Sequence, residues 1–167
     1  ITNDRRRLYL HHFGINPDIM TLAKALGGGV PIGAILSSER VSSAIEFGDH
    51  GTTFGGNPLV CAASLATLKV IEEEDLLRNV NEKGKWLQDR ILGLNDPRMI
   101  ELRGMGLMLG VEFDFETKPL VQKMLERGVL VNALAGNVLR LVPPLNIGFE
   151  ELEITMNVLT ESLKEIK

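Results

Sequence analysis

Cysteine is nearly absent from this 167-residue chain, and the single Cys61 excludes both an intramolecular disulfide framework and a cysteine-based zinc cluster. One thiol fits a reducing compartment. Neither charge sign dominates: 18 Lys and Arg stand against 22 Asp and Glu, a net charge of −4. That balance argues against sequence-independent nucleic-acid binding, which needs clustered Lys and Arg to displace counterions from phosphates. The run Arg5-Arg6-Arg7 is too short to reverse it. No apolar stretch approaches the roughly 20 residues that span a bilayer, and the N-terminus lacks an apolar signal core. The expectation is a cytoplasmic protein with neither a nucleic acid nor a membrane as partner. Two nucleotide motifs are missing as well. No Gly-Lys-Ser/Thr follows any glycine-rich loop. Gly27-Gly28-Gly29 lacks the spaced third glycine of a dinucleotide fingerprint.

What the chain does have is apolar content, 44% of its residues, and enough length to bury a sizeable core without metal or disulfide. It also has 17 glycines placed unevenly. Gly27 to Gly29, Gly33, Gly51, Gly55 and Gly56 crowd into the first third, where backbone is being brought close to something.

Hydrophobic spacing predicts buried, neighbouring strands over Ile19–Ala23 and Ile32–Leu36, and a short helix over Ser38–Glu46. Asn57-Pro58 reads as an N-cap with proline in the first turn, ahead of an apolar stripe of Leu59, Ala62, Ala63, Ala66 and Val70. A second helix starts at Asp75 and ends near Asn95-Asp96-Pro97. Strands are predicted over Met99–Leu102 and Leu107–Phe113, then a helix capped by Thr117 and ended by Gly128. Strands over 129–131 and 138–142 and a final helix with Leu152, Met156, Leu159, Leu163 and Ile166 on one side complete the chain. Alternating strands and helices imply an α/β protein. The change of texture at Pro97 suggests two portions, 1–96 and 97–167.

Three places could carry chemistry. Lys24 sits at a strand end against glycines, where desolvation lowers an amine's pKa and favours attack on a carbonyl; by spacing alone a surface lysine beside a turn is the commoner case. The stretch His50-Gly51-Thr52-Thr53-Phe54-Gly55-Gly56-Asn57 leads into a helix N-terminus, where hydroxyls and amides can receive an anion, or where Thr52, Thr53 and Asn57 only hold a turn and a cap. Arg140 lies in the apolar strand Val138-Leu139-Arg140-Leu141-Val142, so its guanidinium needs a carboxylate, from a ligand or from a nearby Glu. Adjacent His11 and His12 point in different directions and make no ligand pair. Cys61, on an alanine-rich helix face, reads as packing. No metal site is expected.

Taken together, these motifs resemble the fold-type I, class III family of pyridoxal-phosphate-dependent aminotransferases. Pro17 to Ala34 is similar to the family's lysine segment, Gly51 to Pro58 to its phosphate loop, and Asn137 to Leu145 to its carboxylate-binding strand. The resemblance covers roughly residues 8–167. It implies an α/β fold formed by the end of the cofactor-binding major domain, with linking helices (1–96), and a C-terminal α/β lobe (97–167). It implies that Lys24 forms the Schiff base with pyridoxal 5'-phosphate and shuttles the proton of transamination. Thr53 is then expected to bind the cofactor phosphate by reaching into the partner subunit of a homodimer. Thr52 is expected beside the substrate, and Arg140 on its α-carboxylate. The implied substrates are an ω-amino donor, with N-acetylornithine of arginine biosynthesis favoured over succinylornithine, ornithine and 4-aminobutyrate, and 2-oxoglutarate as acceptor.

The family's acidic partner of the pyridine nitrogen, its ring-stacking aromatic residue and its upstream phosphate loop have no counterpart in this sequence. Ile1 to Arg7 also departs from the family's pattern. The expectation is the C-terminal half of such an enzyme, inactive or nearly so alone. Two other readings stay open: a non-catalytic, self-associating module, and a decarboxylase or racemase on the same fold.

Overall fold

Alternation along Met108–Phe113 leaves Leu109, Val111 and Phe113 with 1%, 0% and 1% of their surface exposed, and this strand becomes one of the two inner members of a four-stranded sheet. The computed structural model describes residues 13–166; His11, His12 and the run Arg5 to Arg7 lie outside the described residues. It divides into two compact units between Asp75 and Leu76.

In the first unit, β1 (Ile19–Leu22) pairs antiparallel with β2 (Ala34–Ser37), Ile19 opposite Ser37 and Leu22 opposite Ala34. The two are neighbours, as expected, but they are not buried: Ile19, Ile35 and Leu36 are 54%, 72% and 49% exposed, because two strands alone give no second layer to cover them. A 3-10 turn, Lys24–Gly27, separates them. Helix α1 occupies only Glu39–Ser42, since the following residues to Gly48 fold as turns. Helix α2 runs over Pro58–Glu73. Its buried positions are Val60 and Ser64, whereas Leu59 and Val70 of the expected stripe are exposed. Its neighbour is the Lys24–Gly27 turn, where a Cβ on Gly28 would lie 3.0 Å from the Thr67 hydroxyl. The Cys61 thiol donates to the Gly56 carbonyl at 3.3 Å.

The second unit contains α3 (Leu76–Leu92), β3 (Met99–Met105), β4 (Met108–Phe113), α4 (Lys118–Glu126), β5 (Asn132–Leu134), β6 (Val138–Leu141) and α5 (Phe149–Lys164). Its four strands pair antiparallel throughout in the order β3-β4-β6-β5. One sheet face, with Leu109, Val111, Leu139 and Leu141, forms a core with Leu87 and Ile91 of α3, Leu120 and Met124 of α4, and Leu152, Met156, Leu159 and Leu163 of α5. Helix α3 therefore belongs to this unit, and the division precedes it rather than falling at Pro97: its own stripe is part of that core.

Two expectations are corrected here. The strand expected over 129–131 is not one. Gly128, at φ 81°, turns the chain out of α4, Val129 N–H bonds back to Met124 O at 2.9 Å, and pairing begins only at Asn132, opposite Arg140. Thr117 precedes α4, but its side chain makes no cap; fully buried, its hydroxyl donates to Gly136 O at 3.2 Å and fixes the β5–β6 turn.

Candidate active-site residues

Lys24 is one of four non-glycine residues among those described with positive φ, at 57°. The chain leaves β1 at Leu22 and returns as β2 only at Ala34, and the connection opens with turns closed by Leu26 N–H to Ala23 O at 3.2 Å and Gly28 N–H to Ala25 O at 3.0 Å. Gly28 and Gly29, at φ 61° and 121°, take the next left-handed positions without a Cβ penalty. Lys24 does carry that penalty, about 1–2 kcal/mol, which is the kind of local strain found where a side chain must be aimed. The side chain borders an open hollow of about 580 Å³ formed with Pro31 to Gly33 and Phe54 to Gly56. Lys24 is exposed, so the enclosed, desolvated space expected around it is not built by the described residues.

Phe54 to Gly56 form the other rim, and Thr52 and Asn57 shape that loop from outside the hollow, which Thr53 does not line. The Thr52 hydroxyl accepts from Gly55 N–H at 3.2 Å, and a Cβ on Gly55 would stand 2.4 Å from the Thr52 methyl, so the turn requires glycine there. Asn57 ties the loop to the helix: Nδ2 donates to Phe54 O at 2.8 Å, and Oδ1 accepts from Leu59 N–H at 3.1 Å and Val60 N–H at 3.3 Å. Asn57 is thus the helix cap, one of the two readings of this stretch. Pro58 has no amide hydrogen and Asn57 has taken the next two, leaving the first turn of α2 little to offer an anion. The Thr53 hydroxyl, exposed and without a hydrogen bond among the described residues, is the donor left uncommitted. His50 makes no hydrogen bond to the loop among those residues.

Arg140 lies in the second unit on β6, half-buried and on the face away from the helices. The alternation that sends Leu139 and Leu141 into the core sends Arg140 outward. Its side chain makes no ion pair or hydrogen bond among the described residues, so no neighbouring Glu is its partner. Sequence reading missed the polar cluster beside it. Arg103 Nη1 contacts Glu112 Oε2 at 2.5 Å and Glu101 Oε2 at 2.7 Å, and Asn137 Nδ2 donates to Glu112 Oε1 at 3.3 Å. The Arg103 guanidinium, then Asn137, hold the Glu112 carboxyl below its ordinary pKa, and Glu112, then Glu101, hold Arg103 above its own. The available signal was the charge spacing Glu101-x-Arg103 in one strand and the lone charge of Glu112 among the apolar residues of the next, which puts these residues on one face.

Residues 8–163 match the model of the class-III aminotransferase family. The chain belongs to that family. It is 48% identical over 164 residues to an acetylornithine aminotransferase of Methanocaldococcus jannaschii, an alignment covering 97% of this chain and 41% of that protein. With the Clostridium acetobutylicum acetylornithine aminotransferase it shares 44% identity over 155 residues, 91% of this chain and 40% of the relative. Among solved structures, acetylornithine aminotransferase from Elizabethkingia anophelis superposes with a TM-score of 0.87 at 32% identity, over 95% of this chain and 42% of that one. Ornithine aminotransferase from Toxoplasma gondii, described with pyridoxal phosphate partly occupying its active site, superposes with a TM-score of 0.90 at 34% identity, over 96% of this chain and 39% of that one. The class-III chain thus spans about two-fifths of the length of these relatives. Its α/β fold is that of pyridoxal-phosphate-dependent aminotransferases.

Proposed function

We propose that this class-III chain contributes the cofactor lysine, Lys24, a phosphate-binding threonine, Thr53, and a carboxylate-binding arginine, Arg140, to an aminotransferase. The donor is the ω-amino group of N-acetylornithine and the acceptor 2-oxoglutarate, in arginine biosynthesis in the cytoplasm. The observation that carries the reading is the Lys24 turn: a lysine in a strained, left-handed backbone position that borders an open hollow edged by Gly33, Gly55 and Gly56.

The donor set suits pyridoxal 5'-phosphate, offering a primary amine for its aldehyde and an uncommitted Thr53 hydroxyl for a phosphate oxygen. When bound, the cofactor supplies the electron sink for proton removal from a carbon bearing nitrogen. Lys24 would tether it through Nζ and, as a free amine, would take up the proton removed from the substrate carbon. Arg140 holds the substrate α-carboxylate in its planar fork, fixing which end of the donor is presented. Thr52 lies beside the substrate. In a homodimer, Thr53 serves the partner subunit's site.

The test joins this chain to the unmatched portion of the Methanocaldococcus jannaschii relative and adds pyridoxal phosphate and borohydride. Peptide mass mapping should find the reduced label on Lys24, and the unreduced chimera should turn over N-acetylornithine with 2-oxoglutarate. Label spread over surface lysines, or its retention in Lys24→Ala, would overturn the assignment. A self-associating module without turnover is the second reading. It is favoured by the exposed Ile19, Ile35 and Leu36 of the two-stranded sheet, and sedimentation of the chain together with that assay separates the two.

A further inference from the structure

The pairing register puts Arg103, Gly110, Arg140 and Asn132 in one row across the second unit's sheet. The adjacent row, on the same face, is Glu101, Glu112, Val138 and Leu134. Glu112 is therefore a diagonal neighbour of Arg140, at a separation of about 7–8 Å that a glutamate and an arginine can bridge. The residue directly opposite Arg140 is Gly110, which has no side chain to stand between them. A half-buried arginine beside a reachable carboxylate ordinarily pairs with it, since both gain a charge-assisted hydrogen bond. Here the pair does not form.

Both oxygens of Glu112 are already engaged, Oε2 by Arg103 at 2.5 Å and Oε1 by Asn137 at 3.3 Å. Asn137 is anchored in turn by its bond to Phe113 O at 3.1 Å. We propose that Arg103 is a positioning residue for the carboxylate site: by drawing Glu112 toward β3 it leaves the Arg140 guanidinium unpaired and open to a substrate carboxylate. This rests on the reading of Arg140 given above. Glu101 makes the arrangement robust, because it offsets the second positive charge that Arg103 brings to the same row. Of the charged groups in these two rows, Glu101, Arg103 and Glu112 satisfy one another and Arg140 alone is left over.

The test is a cycle on the 167-residue chain with carbon-13-labelled glutamate, following the Glu112 carboxyl by NMR as a function of pH. In the otherwise unaltered chain, Arg140→Gln should leave the proton affinity of Glu112 unchanged, because the two are not paired. In the Arg103→Gln background, Glu112 turns to Arg140. Adding Arg140→Gln should then raise its proton affinity about threefold or more, the size expected of a partly exposed ion pair. A merely structural role for Arg103 would not create that dependence. The proposal is overturned if Arg140→Gln raises the Glu112 affinity in the unaltered chain, a result that does not require any Arg103 variant to fold. It is equally overturned if Arg140→Gln has no effect in the Arg103→Gln background. The carboxylate role of Arg140 fails separately, in the kinetics of Arg140→Lys described below, and this cycle is blind to that outcome.

Discussion

Gly84 of α3 lies directly against Gly106 at the tip of the β3–β4 hairpin, so close that a Cβ on Gly84 would stand 2.4 Å from the Gly106 carbonyl oxygen. The contact is backbone to backbone, and it lets α3 lie close enough on the hairpin to place Leu87 and Ile91 in the core. Gly84→Ala should destabilise the second unit by about 1–3 kcal/mol, because the obstacle is main chain that cannot swing aside. The sign is the diagnostic. Helix propensity alone would make this substitution stabilising by about 1 kcal/mol. Gly128→Ala, in open space but at φ 81°, should cost about 1–2 kcal/mol for its backbone strain alone. Urea unfolding followed by the single tryptophan, Trp86, which packs edge-on against Phe149, measures both.

Asn57→Ala removes the acceptor for the amides of Leu59 and Val60 together with the bond to Phe54 O. The expected cost is about 0.5–2 kcal/mol, localised to the start of α2. Amide exchange of Leu59 and Val60 should accelerate while that of residues late in the helix is unchanged; uniform acceleration along α2 would refute the assignment.

Arg98 clamps the end of α5 through Nη1 to Ile166 O at 2.7 Å and Nη2 to Leu163 O at 3.0 Å, and Asp96 holds that guanidinium by two side-chain bonds, at 2.6 and 2.9 Å. The side-chain bond from Arg98 keeps the Asp96 carboxyl below its ordinary value, against the opposing effect of burial. A carboxylate with a depressed folded-state pKa adds stability that is complete above its unfolded value, near 4, and is lost as pH falls through the lower folded value. Asp96→Asn should therefore be less stable than the unaltered chain at pH 6, and the gap should close progressively below about pH 4. Denaturant midpoints across that range provide the check, and a gap independent of pH would count against it.

In the chimera carrying the full class-III length, Arg140→Lys should raise the KM for 2-oxoglutarate about tenfold or more, because an ammonium cannot reproduce the two parallel bonds of a guanidinium to a carboxylate. Since that interaction is made with ground state and transition state alike, kcat should fall much less. An unchanged KM would remove Arg140 from the site.

Much of the fold was legible because its signals are local. Asn57-Pro58 announces a helix start by hydrogen-bond chemistry that the sequence carries with it, and the alternation around Val111 and Leu139 announces strands whose two faces differ. The strand expected at 129–131 shows the limit: Val129 and Val131 have the right composition, but strand pairing needs a partner in register, and β6 offers one only opposite Asn132–Leu134. The stripe on α2 failed for a related reason, since apolar spacing reports which residues could be buried, and cover comes from whatever packs against them.

The candidate residues divide in the same way. Sequence alone determined the class-III family and singled out Lys24, Thr52, Thr53 and Arg140 as candidates, because side-chain chemistry and spacing survive without coordinates. Only the tertiary structure decided that Asn57 consumes the α2 amides, that Gly84 and Gly106 must touch, and that Arg103 rather than Arg140 holds Glu112. Each of these depends on which groups meet across strands or between elements. Competition for a shared hydrogen-bond partner is settled by distances that no linear pattern contains.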